Sequence, residues 1–160
     1  MKPRVYIETT IPSFYHEDRP QPEMVARRNW TRTWWEQKRE QYERVTSDAV
    51  FVELLLGVPH KGRKIIDLIA DLPRLDETPE IRELAQHYIE QKLMPRGLFG
   101  DAMHLALASW HCCHFLVTWN CTHLANANKA RHIQTINRRH GLPTPIIVTP
   151  LELLNLSDHV

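Results

Sequence analysis

No apolar run in this chain approaches the roughly 20 residues that a membrane-spanning helix needs, so no segment is expected to cross a bilayer. The opening residues Met1-Lys2-Pro3-Arg4 lead directly into a strand-like run and lack the apolar stretch of a signal peptide, which points to the cytoplasm. Cysteine is scarce: three residues, an odd number, suit a reducing compartment better than a disulfide framework. Charge of one sign is lacking as well. A net charge of +1 gives no whole-molecule attraction for nucleic acid, so any such binding has to come from local basic patches. Several enzyme signatures are missing: the phosphate-cradling Walker loop and the Gly-x-Gly-x-x-Gly dinucleotide fingerprint, the Gly-x-Ser-x-Gly elbow, and the His-x-Glu with Pro-Cys-x-x-Cys of zinc deaminases. No repeat, low-complexity tract or linker interrupts the sequence. Its 160 residues, 42% apolar and 24% charged, suit one folded domain, expected over 1–155 with a tail at 156–160.

What is present reads as strands alternating with helices. Arg4 to Glu8 is β-branched and aromatic and then meets a Thr9-Thr10 turn, with Pro12 ending any continuation. Pro22 opens a long charged helical segment, Glu23 to Glu43, where Trp30 and Trp34 at i,i+4 share a face. Val45 and Thr46 sit in a second strand, and Ser47 suits the N-cap of a helix that stops near Gly57. A helix over 62–70 and a brief strand at Arg74-Leu75 follow. Thr78 and Pro79 open another helix, which runs to about Lys92. Residues 94–100 read as a loop containing Pro95, Gly97 and Gly100, after which Asp101 opens a helix of small residues. Phe115 to Trp119 is a strand, Lys129 to His140 a basic helix closed by Gly141, Ile146 to Val148 a last strand, and Pro150 to Leu154 a final helical turn or two. Such alternation predicts an α/β fold: a central parallel sheet of four to five strands flanked by helices, with right-handed crossovers.

Four positions carry the chemistry. Glu8 closes the first strand and Asn120 follows the strand at 115–119, and open α/β sheets bind ligands at the carboxyl ends of such strands. Glu53 interrupts the apolar run Phe51 to Leu56, where the alternative is an exposed position on an amphipathic helix. Asp101 begins a helix, a place an Asp also takes simply as a cap, and Asn after a strand is ordinary turn chemistry. His104, one turn beyond Asp101 on the same face, reads as a packed or hydrogen-bonding histidine rather than a ligand. Carboxylates gathered without basic partners repel one another, and a hard divalent cation with oxygen ligands relieves that repulsion.

Val-Tyr-Ile-Glu-Thr-Thr at 5–10 resembles the opening strand of PIN-domain nucleases, a family that includes the VapC-like toxin ribonucleases. Ser47 to Leu54 resembles their second acidic segment, Gly-Asp-Ala-Met-His-Leu-Ala-Leu-Ala at 100–108 their third, and Phe-Leu-Val-Thr-Trp-Asn at 115–120 their fourth. The order of the motifs matches too, across nearly the whole chain. The resemblance implies a three-layer PIN-like fold and an acidic pocket holding Mg²⁺ or Mn²⁺. It also implies cleavage of single-stranded RNA, as the toxin half of a toxin–antitoxin pair. Glu8, Glu53, Asp101 and Asn120 would then be the catalytic and metal-holding residues, with a hydroxyl from Thr9 or Thr10 beside them. The chain departs from the common pattern at Glu8, where Asp is usual, and at Asn120, which brings one less negative charge. Both departures bear on metal affinity and activity rather than on fold.

RNA requires cations. Arg27, Arg28, Arg32 and Arg39 on the long segment, and Lys129, Arg131, Arg138 and Arg139 on the later helix, are the candidates, against the plainer reading of solvated helix faces. Trp34, Trp35 and Trp119 are candidates for stacking on bases, with burial in the core as the alternative. Exposed apolar surface on the tryptophan-bearing segment would suit a homodimer. The run His111-Cys112-Cys113-His114, with Cys121 and His123 beyond it, suggests zinc, but adjacent cysteines do not converge easily on one ion. The rival from another class is a PIN-like scaffold that binds a protein partner or nucleic acid without cutting, favoured by Glu8 and Asn120.

Overall fold

Five short strands, each followed by helix, lie parallel in one sheet of order β3-β2-β1-β4-β5. The computed structural model describes residues 1–57, 59–94, 99–120, 122, 124 and 127–157, without the side chains of 59–61, 127, 128 and 157. Strand β1 (Arg4–Ile7) is followed by α1 (Thr10–Tyr15), α2 (Pro22–Lys38) and a 3-10 turn (Arg39–Gln41). Then come β2 (Glu43–Ser47), α3 (Asp48–Leu56), α4 (Pro59–Ile69), β3 (Arg74–Leu75) and α5 (Pro79–Glu90). The order continues with α6 (Phe99–Trp110), β4 (Phe115–Val117), α7 (Ala127–Arg139), β5 (Ile146–Val148) and α8 (Pro150–Ser157). The expected parallel α/β architecture is therefore observed, with five strands and flanking helices. No described helix is long and apolar enough to cross a membrane.

Central strand β1 is the most buried. Val5, Tyr6 and Ile7 are sealed, because β1 has a neighbour on each edge, with Tyr6 opposite Val45 of β2 and Leu116 of β4. A strand buried on both faces needs a continuous apolar run, which residues 5–7 provide. Helix α6 is buried from Ala102 through Ser109, and its many small side chains allow close approach to α5. A buried polar group sits among the helices: the Tyr88 hydroxyl bonds the Asn137 side chain, which also donates to Ser109 Oγ. Burial pushes that phenol up to about 12.

Several element boundaries differ from expectation. Helix α2 stops at Lys38, and Glu43 joins the sheet, where its N–H bonds the Pro3 carbonyl and its carboxylate meets Arg4 at 3.2 Å. Pairing with β1 outweighs the helical tendency of the charged segment. The strand does stop before Pro12, as expected, but at Ile7, and Pro12 itself lies in the first turn of α1, where a missing N–H costs nothing. Strands β1 and β4 end at Ile7 and Val117, so Glu8, Trp119 and Asn120 lie just beyond them, although the Glu8 N–H still reaches the Val117 carbonyl. Helix α4 begins at Pro59 rather than 62, and α8 continues to Ser157. Pro95 and Gly97 of the expected 94–100 loop lie outside the described residues, whereas Gly100 is already helical, two positions ahead of the expected helix body.

Three helices end alike. The residue after the cap is Lys92, Cys112 or Gly141, each with φ between 56 and 68°. In each case its N–H bonds the carbonyl three back and the next N–H bonds the carbonyl five back, as Leu142 does to Asn137 at 2.9 Å. Gly141 takes this left-handed conformation without strain; Lys92 and Cys112 take it at a cost.

The two inward tryptophans of α2 settle one expectation. Trp34 and Trp35 are buried, and so is Trp119, so none of the three is free to stack on bases. Trp119 donates its indole N–H to Thr31 and stacks against Trp30, which at 36% exposure is the exposed tryptophan of α2. The apolar face expected there for a dimer is thus mostly spent inside the monomer.

Candidate metal and nuclease site

The chain runs outward from β1 to β2 and β3, then crosses back to place β4 and β5 on the other side of β1. Where such a sheet reverses direction, neighbouring strand ends part and leave a crevice, the usual ligand site of open α/β sheets. Here the reversal lies between β1 and β4, and Glu8, Thr118 and Asn120 stand at that edge.

Glu8 is 3% exposed and firmly held. Its Oε2 accepts from the Thr10 N–H at 3.0 Å, the Thr10 hydroxyl at 2.5 Å and the Thr118 hydroxyl at 2.7 Å. All three bonds fall on one oxygen. Burial raises its pKa, and the His104 charge and the two hydroxyls offset only part of that. Thr10 Oγ1 in turn accepts from the Trp119 N–H at 2.8 Å, so the first and fourth motifs are tied together.

Glu53 reaches the same place from α3. Its Oε2 accepts from Thr9 Oγ1 at 2.9 Å and its Oε1 lies 2.6 Å from His104 Nε2. Burial alone would raise this carboxyl; the hydrogen bond and charge of His104, with the Thr9 hydroxyl, outweigh it and hold the group below its ordinary value. Gly100 makes room for it: a Cβ there would stand 3.0 Å from Glu53 Oε1.

His104 is completely buried. Burial disfavours its charged form, but the hydrogen bond and charge of Glu53, then the charges of Glu8 and Asp101, prevail and raise its pKa. Its Nδ1 lies 2.7 Å from the Tyr6 hydroxyl, which lies 2.6 Å from Ser47 Oγ. Ser47 occupies the N-cap position of α3 as expected, but its hydroxyl makes no cap bond and serves Tyr6 instead.

The four residues singled out from the sequence thus come together in two pairs. Glu8 and Glu53 form one group with His104, their ligand atoms all within 4.8 Å of one another. Asp101 lies outside that group, in the first turn of α6, and accepts from Asn120 Nδ2 at 3.2 Å. Among the described residues, no lysine or arginine forms an ion pair with Glu8 or Glu53. Two close carboxylates and an imidazole, with no lysine or arginine paired to them among the described residues, are a donor set that fits a divalent metal ion. Thr118, Tyr6 and Gly100 were not singled out by sequence reasoning. Thr118 had a signal, its place directly after β4; the other two had none beyond belonging to the motifs.

Of the expected RNA-binding cations, Arg27 packs on an aromatic pair: its guanidinium is 5.4 Å from the Trp119 ring centroid and 5.6 Å from that of Phe14, and it pairs with Glu23 at 2.8 Å. Arg28 is half-buried on α2 and bonds Asn29. Lys129 lines a cavity with Phe99 at the start of α6, and Arg131 lines another between α7 and β5 that includes none of the four acidic or amide positions. The zinc alternative finds no convergence among its described members: His114 accepts from the Arg4 N–H, His111 meets the Asp76 carbonyl, Cys112 is exposed and Cys113 is buried. Cys121 and His123 lie outside the described residues.

No protein-family model matches the chain, and neither does any curated protein. Its fold is similar to a solved structure, VapBC2 from Rickettsia felis bound to a DNA fragment from their promoter. The TM-score is 0.58 and the identity 17%, with 91% of this chain and 97% of that chain covered. At that identity the likeness speaks to fold, and the five-stranded parallel sheet is PIN-like.

Proposed function

We propose that the chain is a metal-dependent endoribonuclease that cuts single-stranded RNA, the toxin half of a toxin–antitoxin pair. The observation that carries this reading is the meeting of Glu8 and Glu53 at the sheet's reversal point, with the Asp101–Asn120 pair drawn from the third and fourth motifs. The likeness of the fold to VapBC2 supports it, as does the resemblance of the four motifs to those of PIN-domain nucleases.

Glu8 and Glu53 would hold the cation, Mg²⁺ or Mn²⁺, with Asp101 and Asn120 alongside. Such an ion supplies positive charge to a phosphate and acidifies a bound water. The chain's own residues set the rest. The bonds from Thr10 and Thr118 fix Glu8 in one orientation, so its remaining oxygen is presented without reorganisation. Asp101 or Glu53 takes the proton from the attacking water. Arg27 and Arg28 on α2, and Lys129 and Arg131 on α7, draw the RNA backbone toward the crevice. An antitoxin needs apolar surface, and Val52, Leu55 and Leu56 are exposed on α3, the helix that carries Glu53.

One observation favours the non-cutting scaffold instead: Glu53 and one oxygen of Glu8 are already satisfied by protein donors. The deciding experiment is cleavage of a mixed-sequence single-stranded RNA with Mg²⁺, Mn²⁺ or chelator, beside an Asp101→Asn protein purified identically. Metal-dependent cutting that Asp101→Asn loses supports the nuclease. No cutting by folded protein, with no thermal shift on adding millimolar metal, supports the scaffold.

A further inference from the structure

We propose that His104 is itself a ligand, giving nitrogen to the cation that Glu8 and Glu53 hold, so that the site selects a transition cation of the Mn²⁺ kind over Mg²⁺. The inference rests on the metal-holding reading above and adds to it a ligand from outside the acidic set.

Position comes first. His104 lies one turn after Asp101 on a helix that is buried almost throughout, so its ring has a single fixed setting. Its Nε2 belongs to the same 4.8 Å group as the Glu8 and Glu53 oxygens, a group that excludes Asp101. A nitrogen therefore stands where a third carboxylate would be expected.

Orientation comes next. Histidines that bind metals use one ring nitrogen and have the other held by a hydrogen-bond partner, which fixes both ring plane and tautomer. Here Nδ1 is held by the Tyr6 hydroxyl and that hydroxyl by Ser47, from β1 and the end of β2. Nε2 meets Glu53 Oε1 at 2.6 Å, and a bound cation would replace the proton between them. With Nδ1–H donated to Tyr6 and the Tyr6 proton donated to Ser47, Nε2 would turn its lone pair to that cation. Tyr6 acts as a positioning residue, fully buried and unable to touch substrate.

Ligand chemistry then sets the preference. Mg²⁺ takes oxygen ligands in a strict octahedron and gives up its waters reluctantly. Imidazole suits transition metals, and carboxylates accept Mn²⁺ as readily as Mg²⁺. Asn120, in place of a fourth carboxylate, also removes a hard anionic donor. Two carboxylates and one imidazole thus favour Mn²⁺ over Mg²⁺.

Pulsed electron paramagnetic resonance on the full chain loaded with Mn²⁺ reads the ligand directly. A bound imidazole gives a ¹⁴N coupling, which becomes a ¹⁵N coupling in protein grown on ¹⁵N-histidine and disappears in His104→Gln. Calorimetry should show Mn²⁺ binding at least ~10-fold more tightly than Mg²⁺, and Tyr6→Phe should lose ~10-fold in Mn²⁺ affinity, as outer partners of metal-bound histidines do. The labelled wild-type protein answers the question even where His104→Gln fails to fold. Bound Mn²⁺ without nitrogen coupling overturns the inference and leaves the oxygen-ligand site standing. Folded protein that binds neither Mn²⁺ nor Mg²⁺ overturns the metal reading and this inference together.

Discussion

Removing one oxygen atom, in Tyr6→Phe, tests the buried chain Ser47–Tyr6–His104–Glu53. The ring remains, so no cavity of consequence opens, but two partners lose their bond in a place without solvent: Ser47 Oγ at 2.6 Å and His104 Nδ1 at 2.7 Å. A buried polar group left unpaired costs about 1–3 kcal/mol. Ser47 has a partial escape, because it stands at the α3 N-cap with that bond unmade, and a cap is worth about 1 kcal/mol. His104, completely buried, has none. The expected loss is therefore about 2–3 kcal/mol. Ser47→Ala alone should cost about 1 kcal/mol, and in the Tyr6→Phe background clearly less, since the bond it served is already gone. Urea denaturation with chelator present, at constant m-value, measures each step of this cycle. A Tyr6→Phe cost below about 0.5 kcal/mol, or additivity of the two changes within the roughly 0.3–0.5 kcal/mol seen for independent sites, would refute the linkage.

Gly100→Ala should leave stability within about 1 kcal/mol, since Ala improves the helix turn while only the end of the Glu53 side chain must yield. It should nevertheless weaken Mn²⁺ binding, and calorimetry showing unchanged affinity would mean that Gly100 does not shape the site. Lys92→Gly relieves a left-handed residue worth about 1–2 kcal/mol, less the roughly 0.4–1 kcal/mol that glycine's unfolded freedom costs. Thermal denaturation should show a melting point about 2–4 °C higher; a lower one contradicts the cap geometry. Brief alkylation followed by peptide mapping should modify exposed Cys112 and spare Cys113, whose thiol burial pushes up to about 12. Equal modification of both would place Cys113 at the surface.

Much of the fold could be read from local signals. The apolar runs at 5–7 and 115–117, the Thr78-Pro79 helix start and the Gly141 stop all obeyed short-range rules. Errors came where a distant partner decided. Glu43 looked helical until paired with Pro3 and Arg4, and packing decided Trp34 and Trp35 for the core, the alternative the sequence left open beside base stacking. The helix ends at Lys92 and Cys112 carry residues that do not announce a left-handed turn. For the candidate site, the motif order singled out Glu8, Glu53, Asp101 and Asn120. It could not show that Asp101 turns to Asn120 while His104 joins the glutamates, because that choice depends on how α3 and α6 meet.

Contacts at the site reach far along the chain: the bond from Thr118 to Glu8 joins residues 110 apart, and Tyr6 meets His104 across 98. During synthesis the glutamates emerge early, on a nascent segment that can already pair β1 with β2. Thr10 is close enough in sequence to hold Glu8 early, but the bond from Thr118 arrives only with β4, which pairs with the free edge of β1. Long-range pairings of this kind form late and together. A chain synthesised only as far as α6 therefore carries both glutamates but no crevice between β1 and β4, and under the proposed reading β4 is the element that assembles the site.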